Sequence, residues 1–336
     1  PPPDGARSLA GLGTPDVRGI NSSYTLLTTD KGQAQQDPPA GGQVAVLEPM
    51  ADGGWRAMVQ GPRVRVDGAR QKTQVPVVVR ANAGKLAIDI GGTRQTLAAG
   101  QTGRYVTVAF VPAPVLTVKA ATRITVRQVT PDPVIYIEPL SILPEDPYLP
   151  VSEPASLAQG LWKSVGPFKT VGWVHDTSAL GNDHMSEARF VSEAMTSMRW
   201  RAKALLAALD DRGEKLTVAV FTAPDRIGHM FYRHLDPAHP ARNPTPDVEA
   251  AAALDRSYVE MDRVIGEVVA KLGPDDVLLV MSDHGFGSFR RGFNLNTWLL
   301  RKGYLVLKPG VKKPRDFFLD VDWSKTRAYG MGTGSV

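Results

Sequence analysis

The chain has 336 residues and is 43% hydrophobic, enough for one large domain with an insertion or for two domains, each with a core. Its 39 basic and 34 acidic residues leave a net charge of +5, spread without a Lys/Arg run, so nucleic-acid binding is not expected. It has no cysteine, which excludes disulfides and thiolate metal sites, and no stretch approaches the ~20 apolar residues of a membrane span.

Residues 1–42 are rich in Gly, Pro, Ser and Thr, and GLGTPDVRG (11–19) reads as turns. From 43 to 129 the pattern alternates: LAIDI (86–90), YVTVAFV (105–111), LTVKA and ITVRQV (116–129), punctuated by Gly and Pro. This predicts an antiparallel β unit with one wet face. PDPVIYIEP, from 131, holds a short strand, and LPEDPYLPVSEP (143–154) is a proline-rich connection. A helical pattern covers about 186–209 and breaks at Asp210-Asp211-Arg212-Gly213.

KLTVAVF (215–221) and VLLVM (277–281) are short continuous apolar runs, predicted as strands buried on both faces. Between them Thr245 can cap a helix with Pro246 in its first turn and Asp247 and Glu249 complementing its dipole. Leu254, Tyr258, Met261, Ile265, Val268 and Leu272 form its apolar stripe, and Gly273-Pro274 ends it. Residues 215–281 therefore read as a βαβ unit with two parallel strands.

Ligands in open α/β sheets bind beyond the carboxyl ends of the strands. One predicted strand runs into TAPDRIGHM (222–230), with Asp225 and His229 four apart and so on one helix face. The other runs into Ser282, Asp283, His284 and Gly285. Each pair offers one carboxylate and one imidazole, and two metal ions ~3.5–4 Å apart fit between neighbouring strand ends. Ligation by oxygen and nitrogen without sulfur suits zinc, with manganese an alternative. A single Asp-His pair is more often a cap or a turn; its occurrence at both ends of one unit favours a metal site. His234 and His239 lie in a proline-bounded loop and are read as surface or supporting residues. His175-Asp176-Thr177-Ser178 contains a possible nucleophile, but a capped turn before the following helix is the stronger reading.

The runs APDRIGHMFYRHLDPAHP and MSDHGFGSFRRGFNLNTWLLRKGYL resemble the alkaline phosphatase superfamily, and are most similar to its type I phosphodiesterase/nucleotide pyrophosphatase branch among bacterial phosphohydrolases. GLGTPDVRG and TRAYGMGTG match that branch in the same order. The resemblance implies an α/β fold, a mostly parallel sheet sandwiched by helices, with the antiparallel β unit inserted. Residues 1–42 would then connect or complete the catalytic domain, 43–130 would be the insertion, and 131–336 would be the metal-binding half.

The resemblance also implies metal-dependent hydrolysis of small phosphoric esters at a bimetallic site. Asp225 and His229 would serve one metal, and Asp283 and His284 the other. The family's remaining ligands, an early Asp and a late His, and its Thr or Ser nucleophile match no residue here. The chain begins at Pro1 and stops at Val336 in mid-pattern, so it reads as a piece of a longer protein, expected to be inactive alone, with those residues beyond its ends. A sulfatase or phosphomutase of the same superfamily, and a binding protein with a vestigial site, are the alternatives. Relatives often act outside the cytoplasm, which favours an extracytoplasmic location. The substrate and the oligomeric state have no signature in the sequence.

Overall fold

The structure, a computed structural model, describes residues 5–331 except 10, 22, 35–37, 39, 40, 67, 68, 114, 115, 212 and 316. The end of TRAYGMGTG and Arg212 of the predicted helix break lie outside the described residues. Two units divide the chain: residues 1–235 with 243–286, and residues 236–242 with 287–336.

The first unit carries the β structure. Strands Glu48–Pro49, Trp55–Val66, Ala69–Asn82, Lys85–Ile90 and Thr93–Leu97 pair in chain order as an antiparallel sheet. Two-residue turns set its registers. Ala83 and Gly84 have φ of 46° and 75°, and Gly91 and Gly92 have 57° and 75°, the positive values that suit the twist of a tight hairpin. Alternation then does the rest: Leu86, Ile88 and Ile90 are buried, with Val59, Val77, Val79 and Phe110 in the same core. Val106–Ala113, Leu116–Thr122 and Ser141–Ile142 form a second antiparallel sheet. A mixed sheet joins Ile124–Gln128, Val134–Ile137, Thr25–Thr28 and Gln43–Val46. Ser8–Leu9 pairs with Ser152–Glu153. The predicted antiparallel strands between 86 and 129 are thus present.

The helices are α1 (Lys31–Ala34), α2 (Ala155–Ser164), α3 (Thr177–Gly181), α4 (Glu187–Asp210), α5 (Ala223–Phe231), α6 (Val248–Ala251), α7 (Ala253–Val269) and α8 (Leu295–Arg301), with a 3-10 turn at Tyr232–His234. Ser186 caps α4, accepting from the Arg189 amide at 3.2 Å. Among the described residues no helix is long and apolar enough to cross a membrane.

The mostly parallel sandwich is not what the described residues form. Thr25–Thr28 with Gln43–Val46 is the one parallel pair among the described strands. Residues 215–221 and 277–281 contain no strand, so the predicted βαβ unit is not formed. Leu216, Val218, Val277, Leu279 and Met281 are each at least three-quarters exposed. The reason is a matter of partners. A parallel strand needs a neighbour brought from far along the chain, and neither run has a ladder to join here. The helix between them also starts later than predicted. Asp247, not Thr245, caps α6, accepting from the Glu249 amide at 2.8 Å. The buried face of α7 is Leu254, Ser257, Glu260, Val264 and Val268, which leaves Tyr258 exposed.

Buried charge ties α4 to the sheets. Glu138 follows strand Val134–Ile137 and accepts two bonds from Arg123, at 2.8 and 3.1 Å. Lys169 bridges Glu138 and Glu193, at 3.5 and 2.8 Å, and Arg189 also reaches both carboxylates. Glu138 and Glu193 are therefore both paired with cations, as a low-dielectric setting requires of an ionised carboxylate.

The second unit is small. Leu299 of α8 packs with Leu305 and Val321, and Asn294 caps the helix, accepting from the Thr297 amide at 2.9 Å. Arg290 grips Asp236 through two bonds of 2.8 and 2.9 Å. The Ser288 hydroxyl and the Arg290 guanidinium hold the Asp236 carboxyl down to about 2.

Candidate metal centre

Helix α5 explains why Asp225 and His229 face outward together. Ala223, Ile227 and Phe231 step by four and are buried against Phe190, Ala194 and Leu254. Asp225 and His229, also four apart, each lie two residues from Ile227, about 200° of helical rotation away and so on the opposite side. Asp225 stands in the first turn, where a negative charge complements the dipole.

The segment after 281 delivers the third group. Ser282 Oγ donates to the His284 carbonyl at 2.5 Å, closing a tight turn. His284 Nδ1 donates to the Gly285 carbonyl at 3.0 Å, which leaves Nε2 as the ring's free lone pair. That Nε2 lies 3.4 Å from Asp225 Oδ1, and His229 Nε2 lies 3.2 Å from the same oxygen. The ligand atoms of Asp225, His229 and His284 all fall within 4.8 Å of one another. The Gly285 carbonyl, Asp283 and Asp225 together hold the His284 imidazolium above its usual range. A metal ion must displace that proton to bind.

Phe286 sets the rings. Its centroid lies 5.1 Å from that of His229 and 5.3 Å from that of His284, both edge-on. Gly228 makes room for it: a Cβ there would stand 2.6 Å from the Phe286 ring. Tyr232 stacks on the same ring at 6.2 Å.

The three converging groups are one carboxylate and two imidazoles, a donor set that fits a single zinc or manganese ion with open positions left for water or substrate. Asp283 sits at the rim, 87% exposed in its side chain, with Oδ2 3.7 Å from His284 Nε2. The geometry thus groups His284 with Asp225 and His229, whereas the sequence paired it with Asp283.

The other singled-out residues have structural partners. Asp176 caps α3, accepting from the Ala179 amide at 2.8 Å, as the capped-turn reading expects. Thr177 Oγ1 accepts from the Trp173 indole at 3.0 Å. His175 is buried and donates from Nε2 to Ser197 Oγ, whose own proton goes to the Ala194 carbonyl. Burial, with Lys169 and Arg201 nearby, pushes its imidazole down to about 3. His234 is buried in a stack with Phe231, which corrects its surface reading, and exposed His239 bonds the Phe289 carbonyl at 2.8 Å. A cavity of about 740 Å³ is lined by Arg127, Asp183, Glu187, Arg233 and Asp247, among others, and by none of the four predicted ligands.

Sequence reasoning missed Arg226, Trp173 and Phe286. Arg226 directly follows Asp225, and Phe286 lies two residues past His284, so proximity was the available signal.

The family model described as Type I phosphodiesterase / nucleotide pyrophosphatase matches residues 118–330, more than half of the chain. No curated protein and no solved structure matches it.

Proposed function

The chain belongs to the type I phosphodiesterase/nucleotide pyrophosphatase family of the alkaline phosphatase superfamily, and from that premise we propose that it is the metal-binding part of a phosphoric ester hydrolase. The family is typically hydrolytic, generally metal-dependent and acts on small phosphate esters. The observation that carries the reading is the convergence of Asp225, His229 and His284. These three would hold one divalent ion, zinc or manganese. Asp283, 3.7 Å from His284, would contribute to a second. Bound divalent cations neutralise the charge of a phosphate ester and lower the pKa of an attacking hydroxyl or water.

The chain's own residues supply the rest. Asp225 offers Oδ1 to the centre. The Gly285 carbonyl fixes the His284 tautomer, and Phe286 keeps both imidazoles edge-on. Thr177 and Ser282 are engaged elsewhere, on Trp173 and on the His284 carbonyl, and on this reading the Thr or Ser nucleophile lies outside residues 1–336. On this reading residues 43–130 are an inserted β-rich subdomain, 131–336 are the metal-binding half, and 1–42 form part of the catalytic domain or connect to it.

Calorimetric zinc titration of residues 1–336 tests the proposal, with hydrolysis of p-nitrophenyl phosphate and its bis ester measured alongside. Saturable zinc uptake is expected, lost in Asp225→Ala and His284→Ala, without appreciable turnover. Zinc uptake unchanged in both variants would remove the centre. Robust metal-dependent turnover would place the nucleophile inside the chain, with Thr177 and Ser178 the first positions to mutate.

A further inference from the structure

Asp225 uses its two oxygens for different purposes. Oδ1 faces His229 and His284, whereas Oδ2 accepts from Arg226 Nη1 at 2.9 Å. The Arg226 guanidinium carbon in turn lies 3.4 Å from the centroid of the Trp173 ring. We propose that Trp173 and Arg226 form a clamp that positions the Asp225 carboxylate for metal binding; the inference rests on the metal-centre reading above.

Each link of the clamp is anchored in the next. A carboxylate at the start of a helix rotates about its terminal torsion unless one oxygen is held, and Arg226 holds Oδ2. Arg226 alone would be a poor anchor, because a long side chain has many rotamers. Stacking removes that freedom: the planar guanidinium lies well within the ~6 Å reach of a cation–π contact, and the side chain is only 14% exposed. The indole is fixed in its turn by donating to Thr177 Oγ1 at 3.0 Å. Thr177 opens α3, whose cap Asp176 is buried and accepts from the Tyr136 hydroxyl at 2.7 Å and the Ala179 amide at 2.8 Å. A continuous chain of contacts therefore runs from the core under α3 to Oδ2 of the carboxylate whose other oxygen, Oδ1, faces the two imidazoles. Groups that orient a metal's ligands typically matter by 10–100-fold in affinity.

Charge and position must be separated. The positive charge of Arg226 disfavours a cation nearby, while its grip on Asp225 favours one, so removing Arg226 mixes two effects of opposite sign. Trp173 is neutral and is none of the converging ligands. Replacing it loosens the clamp at constant charge.

The test is zinc titration by calorimetry on residues 1–336 carrying Trp173→Leu, Trp173→Phe or Arg226→Lys, with circular dichroism to establish folding. Trp173→Leu should weaken zinc binding by about tenfold or more. Trp173→Phe retains a ring under the guanidinium and should stay within about threefold of the parent. Arg226→Lys keeps the charge but loses the planar stack, and should weaken binding even where Trp173→Leu does not fold. A merely structural role would lower the melting temperature of folded Trp173→Leu and leave its zinc affinity within about twofold of the parent, which overturns the clamp. Failure of the parent itself to take up zinc would overturn the metal reading instead. The crystal structure of Trp173→Leu then decides the clamp separately: a displaced Asp225 carboxylate supports it, and an unmoved one overturns it.

Discussion

Strand Val106–Ala113 and the run 277–281 are both apolar and β-branched, yet the chain treats them oppositely. In the first, burial alternates residue by residue, and its partner Leu116–Thr122 follows it closely in the chain. In the second, every residue from Val277 to Met281 is exposed. The difference is not β propensity, which the two share. A strand needs a partner along at least one of its edges. Antiparallel strands find partners through local hairpins, whereas parallel ones depend on segments far away in sequence. An alternating pattern therefore reports a fold that the chain can complete locally. A continuous apolar run reports only a demand for neighbours.

The strongest way to break this comparison is to truncate one side chain in each region. Ile88 is fully buried in the sheet core, so Ile88→Ala should cost about 2–5 kcal/mol in urea unfolding. Leu279 is 77% exposed, and Leu279→Ala should change stability by less than about 0.5 kcal/mol. An equal loss at the two positions would mean that 277–281 is buried in solution.

A smaller effect sharpens the same contrast through backbone positions. Gly61 lies where the register of Trp55–Val66 slips against Ala69–Asn82, and a Cβ there would stand 2.2 Å from the Phe110 ring. Gly61→Ala should cost about 1–3 kcal/mol by overpacking. Gly285 follows the exposed run, and an added Cβ would meet nothing within 4 Å. Gly285→Ala should leave the melting curve unchanged, and a comparable loss there would show packing against Gly285 that the structure lacks.

What the sequence disclosed follows the same division. The strands between 86 and 129, helix α4, and the placing of Asp225 and His229 on one helix face are all local matters of period and spacing, and each was legible. The placement of 215–221 and 277–281 depended on partners, which no local pattern encodes. The grouping of His284 with Asp225 rather than with its neighbour Asp283 depended on a turn closed by Ser282 and Gly285. Trp173 was invisible for a similar reason. It stands 53 positions before Arg226 in the chain (226 − 173), and nothing in periodicity links a stacked pair that tertiary packing creates.

The regions also differ in their response to pH, and this gives the smallest of the expected effects. The sheet core around Ile88 and Val79 is apolar, whereas the interior beneath α4 and α5 contains His175 and Asp176. Burial holds His175 neutral, with its imidazole pushed from 6.5 down to about 3. Its contribution is therefore complete above pH 6.5 and is lost as pH falls toward 3, by at most about 1.4 kcal/mol per pH unit. Burial acts the other way on Asp176, raising its carboxyl from 3.8 to about 6. That contribution is complete below pH 3.8 and is lost as pH rises through 6. Between these limits the two groups oppose one another, and only His175 penalises acidification. His175→Gln keeps a donor for Ser197 and removes the penalty. Measured by urea unfolding at pH 6.5 and 5.5, the parent should lose about 1 kcal/mol more than this variant on acidification. Ile88→Ala, which alters the apolar core alone, should keep the parent's pH dependence. Equal acid sensitivity in the parent and in His175→Gln would show that the imidazole is already solvated, and that the interior beneath α4 and α5 is open to water as the 277–281 run is.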